Sequence, residues 1–110
     1  MQGDVLVDYN DLWGRRDGLV IAVGASGAVL QSRDSGLTWT KRHSMTRERL
    51  NAVSGWRDLV VAVGSNGTIV RSTDGGDNWT TVAHKGADLS GIAVWREGSI
   101  VVVGAGGTML

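Results

Sequence analysis

The sequence has no cysteine, no proline and no phenylalanine among its 110 residues. Without cysteine, the chain can form neither a disulfide framework nor a thiolate metal site. Its 11 basic and 11 acidic side chains balance to zero net charge, so no overall field draws it to nucleic acid or to anionic membranes. No apolar run reaches membrane-spanning length, and residues 1–4 lack the basic character of a signal peptide. We therefore expect a cytoplasmic or otherwise soluble protein with no nucleic-acid partner and no membrane insertion.

The chain repeats itself every 40 residues. A Val-Gly-x-x-Gly segment begins at Val23, at Val63 and at Val103, and segments of the form Ser-x-Asp-x-Gly-x-x-Trp occupy residues 32–39 and 72–79. A fixed period of this length indicates a repeat architecture. We therefore predict that residues 1–110 form a single repeat domain.

Each repeat has the pattern of four short strands separated by turns. In the second repeat the predicted strands cover residues 50–54, 59–63, 68–72 and 79–83. The second strand of every repeat is continuously apolar and β-branched, which indicates burial on both faces of its sheet. Four antiparallel strands in about 40 residues are typical of a β-propeller blade. The sequence therefore predicts an all-β fold built from four-stranded antiparallel blades.

The tryptophan-ended segments resemble a known repeat family. Residues 32–39, Ser-x-Asp-x-Gly-x-Thr-Trp, resemble the Asp-box, or BNR repeat, of sialidases, sortilin-type receptors and photosystem II assembly factors of the Ycf48 type. The longer pattern over residues 63–79 is most similar to the Ycf48 type, and the resemblance spans nearly the whole chain. It implies a β-propeller that binds protein, with structural boxes away from the binding face. The structural box residues that it implies are Ser32, Asp34, Gly36, Trp39, Ser72, Asp74, Gly76 and Trp79.

The residue types of the boxes predict how each turn is held. Asp34 and Asp74 are placed to accept hydrogen bonds from the backbone of their own turn, and the glycine two residues later permits a left-handed conformation. The tryptophans are expected to pack over the turn. Asn78 stands where the first box has a threonine, so the contact expected of that threonine hydroxyl is not predicted for the second box. A calcium loop at residues 74–78 is the alternative, but no bidentate glutamate follows, so we expect no metal site and no cofactor.

The predicted blades do not complete a ring within one chain. Blade 1 covers residues 9–49, blade 2 covers 50–88, an incomplete blade 3 covers 89–110, and a strand-like segment at 1–8 is a candidate to complete a neighbour's blade. Because an open stack exposes two apolar sheet faces, we expect identical copies to join head to tail into one ring. A homodimer with six blades is favoured, and a homotrimer with eight or nine blades is the alternative. The rival interpretation is a fragment of a longer Asp-box propeller.

The sequence contains no catalytic constellation. It lacks a Gly-x-Ser-x-Gly elbow, and His43 and His84 recur with the repeat. Tyr9, the only tyrosine, has no matching glutamate partner for sialidase-type chemistry. We therefore predict no enzymatic activity and no catalytic residues.

The best candidate for a binding site is the link between the first two repeats. Residues 42–49 are longer and more basic than their counterpart at residues 83–88. Arginines there can hold carboxylate or phosphate groups, whereas the plainer alternative is a solvated charged loop. We predict a noncatalytic interaction scaffold for a protein partner; the alternative is a glycan- or anion-binding, lectin-like module, as on a microbial or phage particle. The candidate ligand-binding residues are Arg42, His43, Arg47 and Arg49.

Overall fold

A computed structural model of the chain describes residues 8–107, with the backbone alone at His84. Most of the strand predicted at residues 1–8 lies outside the described residues, as do residues 108–110 of the incomplete third blade. Two four-stranded antiparallel sheets and one two-stranded sheet follow one another along the described chain.

The strands follow the predicted repeats. The first sheet contains β1 to β4, which span Tyr9–Gly14, Val20–Gly24, Ala28–Ser32 and Thr40–His43. The second sheet contains β5 to β8, which span Leu50–Trp56, Leu59–Gly64, Thr68–Ser72 and Thr80–His84. The third sheet contains β9 and β10, which span Leu89–Val94 and Ile100–Gly104. Strands adjacent in each sheet are also consecutive in the chain, so the four-stranded antiparallel units are confirmed.

The three sheets stack face to face. The first strands of the sheets lie closest together, with β1 beside β5 and β5 beside β9. One buried cluster joins Ile21 of the first sheet to Val60 of the second, and another joins Val61 of the second sheet to Val102 of the third. Val60 and Val61 are adjacent in β6 and both are fully buried. The apolar residues of β6 therefore pack into two hydrophobic cores, one on each face of the sheet, as the composition of this strand predicts.

Asparagine side chains tie the neighbouring innermost strands together. Asn10 Nδ2 donates to the Leu50 carbonyl oxygen at 2.9 Å, and Asn51 Nδ2 donates to the Leu89 carbonyl oxygen at 2.8 Å. Both asparagines occupy the second position of the first strand of their sheet. These contacts were not predicted from the sequence, although asparagine recurs at the same strand position in both repeats.

Short 3-10 turns connect the second and third strands of the two complete sheets. They span Ala25–Gly27 and Ser65–Gly67, and their middle residues, Ser26 and Asn66, both have a φ of 58°. Among residues 8–107, helical conformation occurs only in such three-residue turns, and no helix is long and apolar enough to cross a membrane.

Candidate functional site

The stack of sheets has two chemically different ends. The loop end carries the 3-10 turns at Ala25–Gly27 and Ser65–Gly67 together with the links between sheets. A Cβ built on Gly27 would lie 2.1 Å from the Thr46 carbonyl oxygen in the first link, so the two lie side by side. The turn end carries the Ser-x-Asp turns, where the Ser35 N–H donates to the Gly18 carbonyl oxygen at 2.9 Å. The basic link predicted to bind ligand lies at the loop end.

A groove of about 740 Å³ opens at the loop end of the first sheet. It is lined by residues 25–29 and 41–47. Its wall is held by Ser44, which is buried and whose hydroxyl donates to the Gly27 carbonyl oxygen at 2.7 Å. The Glu48 N–H donates to the Thr46 hydroxyl oxygen at 3.1 Å and fixes the next part of the link. This loop-end groove is therefore bordered by an ordered link, which lowers the entropic cost of binding.

The structure separates the four predicted ligand-binding residues. His43 and Arg47 are exposed and line the loop-end groove beside Lys41. Arg49 is exposed outside the groove lining, and its guanidinium donates to Asn10 Oδ1 at 3.3 Å. Arg42 borders the groove, but its guanidinium is directed to the seam between the first two sheets.

A polar cluster around Asp77 forms that seam. Gln31 Nε2 donates to Asp77 Oδ1 at 2.7 Å, and the Arg33 guanidinium pairs with the same oxygen at 2.9 Å. Arg42 Nε donates to Gln31 Oε1 at 2.9 Å, and the Arg42 guanidinium lies 3.4 Å from Asp77. The hydrogen bond from Gln31 and the ion pair with Arg33 lower the pKa of Asp77. Sequence reasoning missed this cluster because the first repeat has Leu37 where the second has Asp77.

The first Ser-x-Asp turn is held by its own side chains. The Ser32 hydroxyl donates to Asp34 Oδ1 at 2.7 Å and accepts from the Gly36 N–H at 2.8 Å. Asp34 also accepts from the N–H of Thr38 at 2.8 Å and from the Thr38 hydroxyl. The Trp39 indole N–H donates to the Gly36 carbonyl oxygen at 2.9 Å. The turn therefore satisfies most of its polar groups internally.

The second Ser-x-Asp turn repeats this network. Ser72 donates to Asp74 Oδ1 at 2.7 Å, and the Gly76 N–H donates to Ser72 Oγ at 2.8 Å. Asn78 Nδ2 donates to Asp74 Oδ2 at 2.8 Å, so its amide supplies the contact that the threonine hydroxyl makes in the first turn. Trp79 Nε1 donates to the Gly76 carbonyl oxygen at 2.9 Å.

The tryptophans of the two turns differ in burial. Trp79 is 6% exposed and belongs to the core between the first and second sheets. Trp39 makes the same hydrogen bond within its turn but is only half-buried, because no sheet within residues 8–107 covers that face. The neighbouring sheet, rather than the turn itself, determines how deeply the indole is buried.

The carboxylates of Asp34 and Asp74 predict acid sensitivity. Hydrogen bonds from Thr38 hold the pKa of Asp34 at about 2, and those from the Asn78 N–H and the Ser72 hydroxyl hold the pKa of Asp74 at about 2. In the unfolded state these two carboxylates take up protons at a higher pH than in the folded state. The stability that the ionised carboxylates contribute is therefore fully present above about pH 4 and is lost as the pH falls through about 2.

Urea titrations across this pH range measure the effect. The double variant Asp34→Asn, Asp74→Asn is expected to be less stable than the parent chain at neutral pH and to lose less further stability in acid. A variant that retained the parent's full acid dependence would contradict this origin of the pH effect.

Arg15 at the turn end is paired with two carboxylates. Arg15 lies 2.7 Å from Asp17 and 3.0 Å from Asp58, and it also donates to the Arg57 carbonyl oxygen at 2.6 Å. The ion pair with Arg15 lowers the pKa of Asp17 to about 2. Among the side chains that the structure describes, which exclude that of His84, no group of three or more histidine, aspartate or glutamate residues is placed to hold a metal ion.

Comparison with known proteins identifies the fold. No protein-family model matches the chain, and no curated protein matches it in sequence. Two solved structures of Ycf48 each match 94% of the chain: one bound to a D1 peptide, with a TM-score of 0.83 and 22% identity, and one from Cyanidioschyzon merolae, with a TM-score of 0.81 and 26% identity. The chain spans about a third of their length, covering 35% and 33% respectively. The fold is that of a β-propeller with fewer than three blades in the chain, as predicted.

Proposed function

We propose that this chain is a noncatalytic interaction scaffold that binds a protein partner at its loop end. The observation that carries the proposal is the loop-end groove, where His43 and Arg47 make no side-chain hydrogen bond or ion pair with another described residue. At the turn end, in contrast, Arg15 is already paired with Asp17 and Asp58. A propeller of similar fold has been solved with a bound peptide, which supports a polypeptide ligand.

The partner segment that best fits the groove is acidic. An extended peptide can place carboxylates beside Arg47 and Lys41 while its backbone follows the ordered link around Ser44. A glycan or an inorganic anion is the alternative ligand for the same basic groups. Arg42 is assigned to the seam between sheets and Arg49 to the innermost strands, so neither is proposed to contact the ligand directly.

We infer that the two Ser-x-Asp turns are Asp-boxes with a structural role. Their serine and aspartate side chains are used within the turn, and each tryptophan is anchored to the glycine carbonyl of its own turn. These contacts leave the boxes without a free group suited to catalysis, which supports a noncatalytic scaffold.

We further propose that identical copies complete the ring. On the outward face of the first sheet, Leu12 is 64% exposed and Leu37 is 78% exposed, and on the third sheet Val103 is 40% exposed. The repeat equivalents of Leu12 and Val103 in the second sheet, Val53 and Val63, are buried between sheets. Head-to-tail association of copies would bury both outward faces in the same way, with the blade divisions predicted above.

A binding experiment with defined probes tests the scaffold proposal. A fluorescein-labelled hexaglutamate peptide is expected to bind the chain, and Arg47→Ala is expected to weaken that binding by about threefold to fivefold without changing stability. Arg57→Ala is the matched control, because Arg57 stacks on the Trp56 ring at 4.7 Å at the opposite end. Equal loss with both variants, or binding of sialyllactose without binding of the peptide, would overturn the proposal.

A further inference from the structure

The link that borders the loop-end groove holds one residue in a strained conformation. Met45 has a φ of 67°, in the left-handed region that favours glycine. Six described residues other than glycine have a positive φ, and Met45 is the only apolar one among them. The second link has a glycine at the matching place, because Gly86 follows the end of β8 by two residues, as Met45 follows the end of β4, and the φ of Gly86 is 134°. The first link therefore carries methionine where glycine would fit without strain.

The backbone of Met45 is fixed, although its side chain is not buried. The Thr81 hydroxyl of the second sheet donates to the Met45 carbonyl oxygen at 2.7 Å. In the preceding residue, the buried Ser44 hydroxyl donates to the Gly27 carbonyl oxygen at 2.7 Å. The side chain of Met45 is nevertheless 66% exposed, so it contributes little to the hydrophobic core. Backbone strain that neighbouring contacts hold in place is typical of ligand-binding positions, and it points to a role for the exposed side chain.

Met45 lies where two hollows meet. It lines the loop-end groove together with His43 and Arg47, and it also lines a second hollow of about 390 Å³ between β4 and residues 77–79 of the second Ser-x-Asp turn. Residues 41–43 line both hollows as well, so the two are neighbours. A polypeptide segment bound along the groove therefore meets an exposed thioether beside the basic side chains. A segment made only of charged residues would leave that apolar surface without a partner.

We propose that Met45 is a specificity-determining residue of the loop-end groove, which selects an acidic segment that also carries a large aliphatic side chain. The carboxylates of the segment pair with Arg47, and a leucine-like side chain packs on Met45, which removes the apolar surface of both from water. Methionine suits this contact because its unbranched and polarisable side chain adapts to aliphatic groups of different shape. This assignment rests on the proposed function and adds a requirement that charge alone does not impose.

Two fluorescein-labelled octapeptides of equal charge measure this selection by fluorescence anisotropy. Each has three glutamates on either side of a central pair, which is leucine in one peptide and serine in the other. The parent chain is expected to bind the leucine peptide about fivefold more tightly than the serine peptide, because the leucines are partly buried against Met45. Equal affinities for the two peptides would overturn this inference and leave the proposed acidic ligand intact. Failure of both peptides to bind would overturn the proposed function and this inference together.

Variants of the chain assign the selection to one side chain. Met45→Asn is expected to remove the preference for leucine while leaving the affinity for the serine peptide unchanged and the urea midpoint no lower, because asparagine adopts a positive φ more readily than methionine. Arg47→Ala is expected to weaken both peptides by the same factor, about threefold to fivefold, and to preserve the preference. Leu37→Asn is the matched control, because it removes an exposed aliphatic side chain at the turn end, and it is expected to leave the preference unchanged. A preference that survived Met45→Asn, or that Leu37→Asn removed to the same extent, would overturn the proposal.

Discussion

Replacing Trp79 by alanine is expected to lower the free energy of unfolding by about 3–5 kcal/mol. The indole is almost fully buried in the core shared by the first two sheets, so its removal leaves a cavity that both sheets line. It also removes the donor to the Gly76 carbonyl oxygen. Because small domains are stable by only about 5–15 kcal/mol, the loss should unfold a large fraction of the chain under mild denaturing conditions.

Trp39→Ala is the matched control for that experiment. Trp39 makes the same 2.9 Å hydrogen bond within its own turn but lacks a neighbouring sheet among the described residues. Urea titrations followed by circular dichroism, at concentrations below those at which copies assemble, should show a clearly smaller loss for Trp39→Ala. Equal losses would mean that the turn itself, and not packing between sheets, determines the contribution of the tryptophan.

Gly64→Ala is expected to destabilise the chain by about 3 kcal/mol. The φ of Gly64 is −167°, which any residue adopts, so the effect is purely steric. A Cβ there would lie 1.8 Å from the Arg49 carbonyl oxygen and 2.9 Å from Leu50 Cα, both of which are backbone atoms. Moving the backbone away would break the 2.9 Å hydrogen bond from the Ser65 N–H to that same carbonyl.

Gly14→Ala provides the comparison. A Cβ on Gly14 meets nothing closer than 3.7 Å, so this substitution should leave the urea midpoint nearly unchanged. The same close approach recurs at Gly24 and Gly104, where a Cβ would lie 2.1 Å and 2.3 Å from a backbone oxygen. If Gly64→Ala left the urea midpoint unchanged, the start of the first strand of a sheet would not need to approach the end of the second strand so closely.

The strands could be predicted from the sequence because their pattern repeats. The strand predicted at residues 68–72 has the same bounds in the structure, and the one predicted at 59–63 extends by one residue. The fourth strand of the second sheet begins at Thr80 rather than at residue 79, because Trp79 is used to close the turn. The residue types within each strand and turn therefore determine where the strands begin and end, and the repeat determines the order in which the strands follow one another.

The candidate site could be predicted only in part. Lys41, Arg42 and His43 are adjacent in β4, and the sequence alone does not show that Arg42 is committed to the seam at Asp77. That seam depends on contacts between repeats at positions where the two sequences differ. The unequal burial of Trp39 and Trp79 could likewise not be predicted, because their sequence motifs are nearly identical and only the neighbouring sheets differ.

The mass of the assembly in solution tests the proposed ring most directly. Sedimentation velocity at low micromolar concentration is expected to show one closed species, most simply of two copies, whose mass stays constant as the concentration rises. Closure would bury Leu37 and Val103, which are 78% and 40% exposed in the single chain. A compact and folded single chain over the whole concentration range would contradict the account, because its outward sheet faces would then be stable in water without a covering copy.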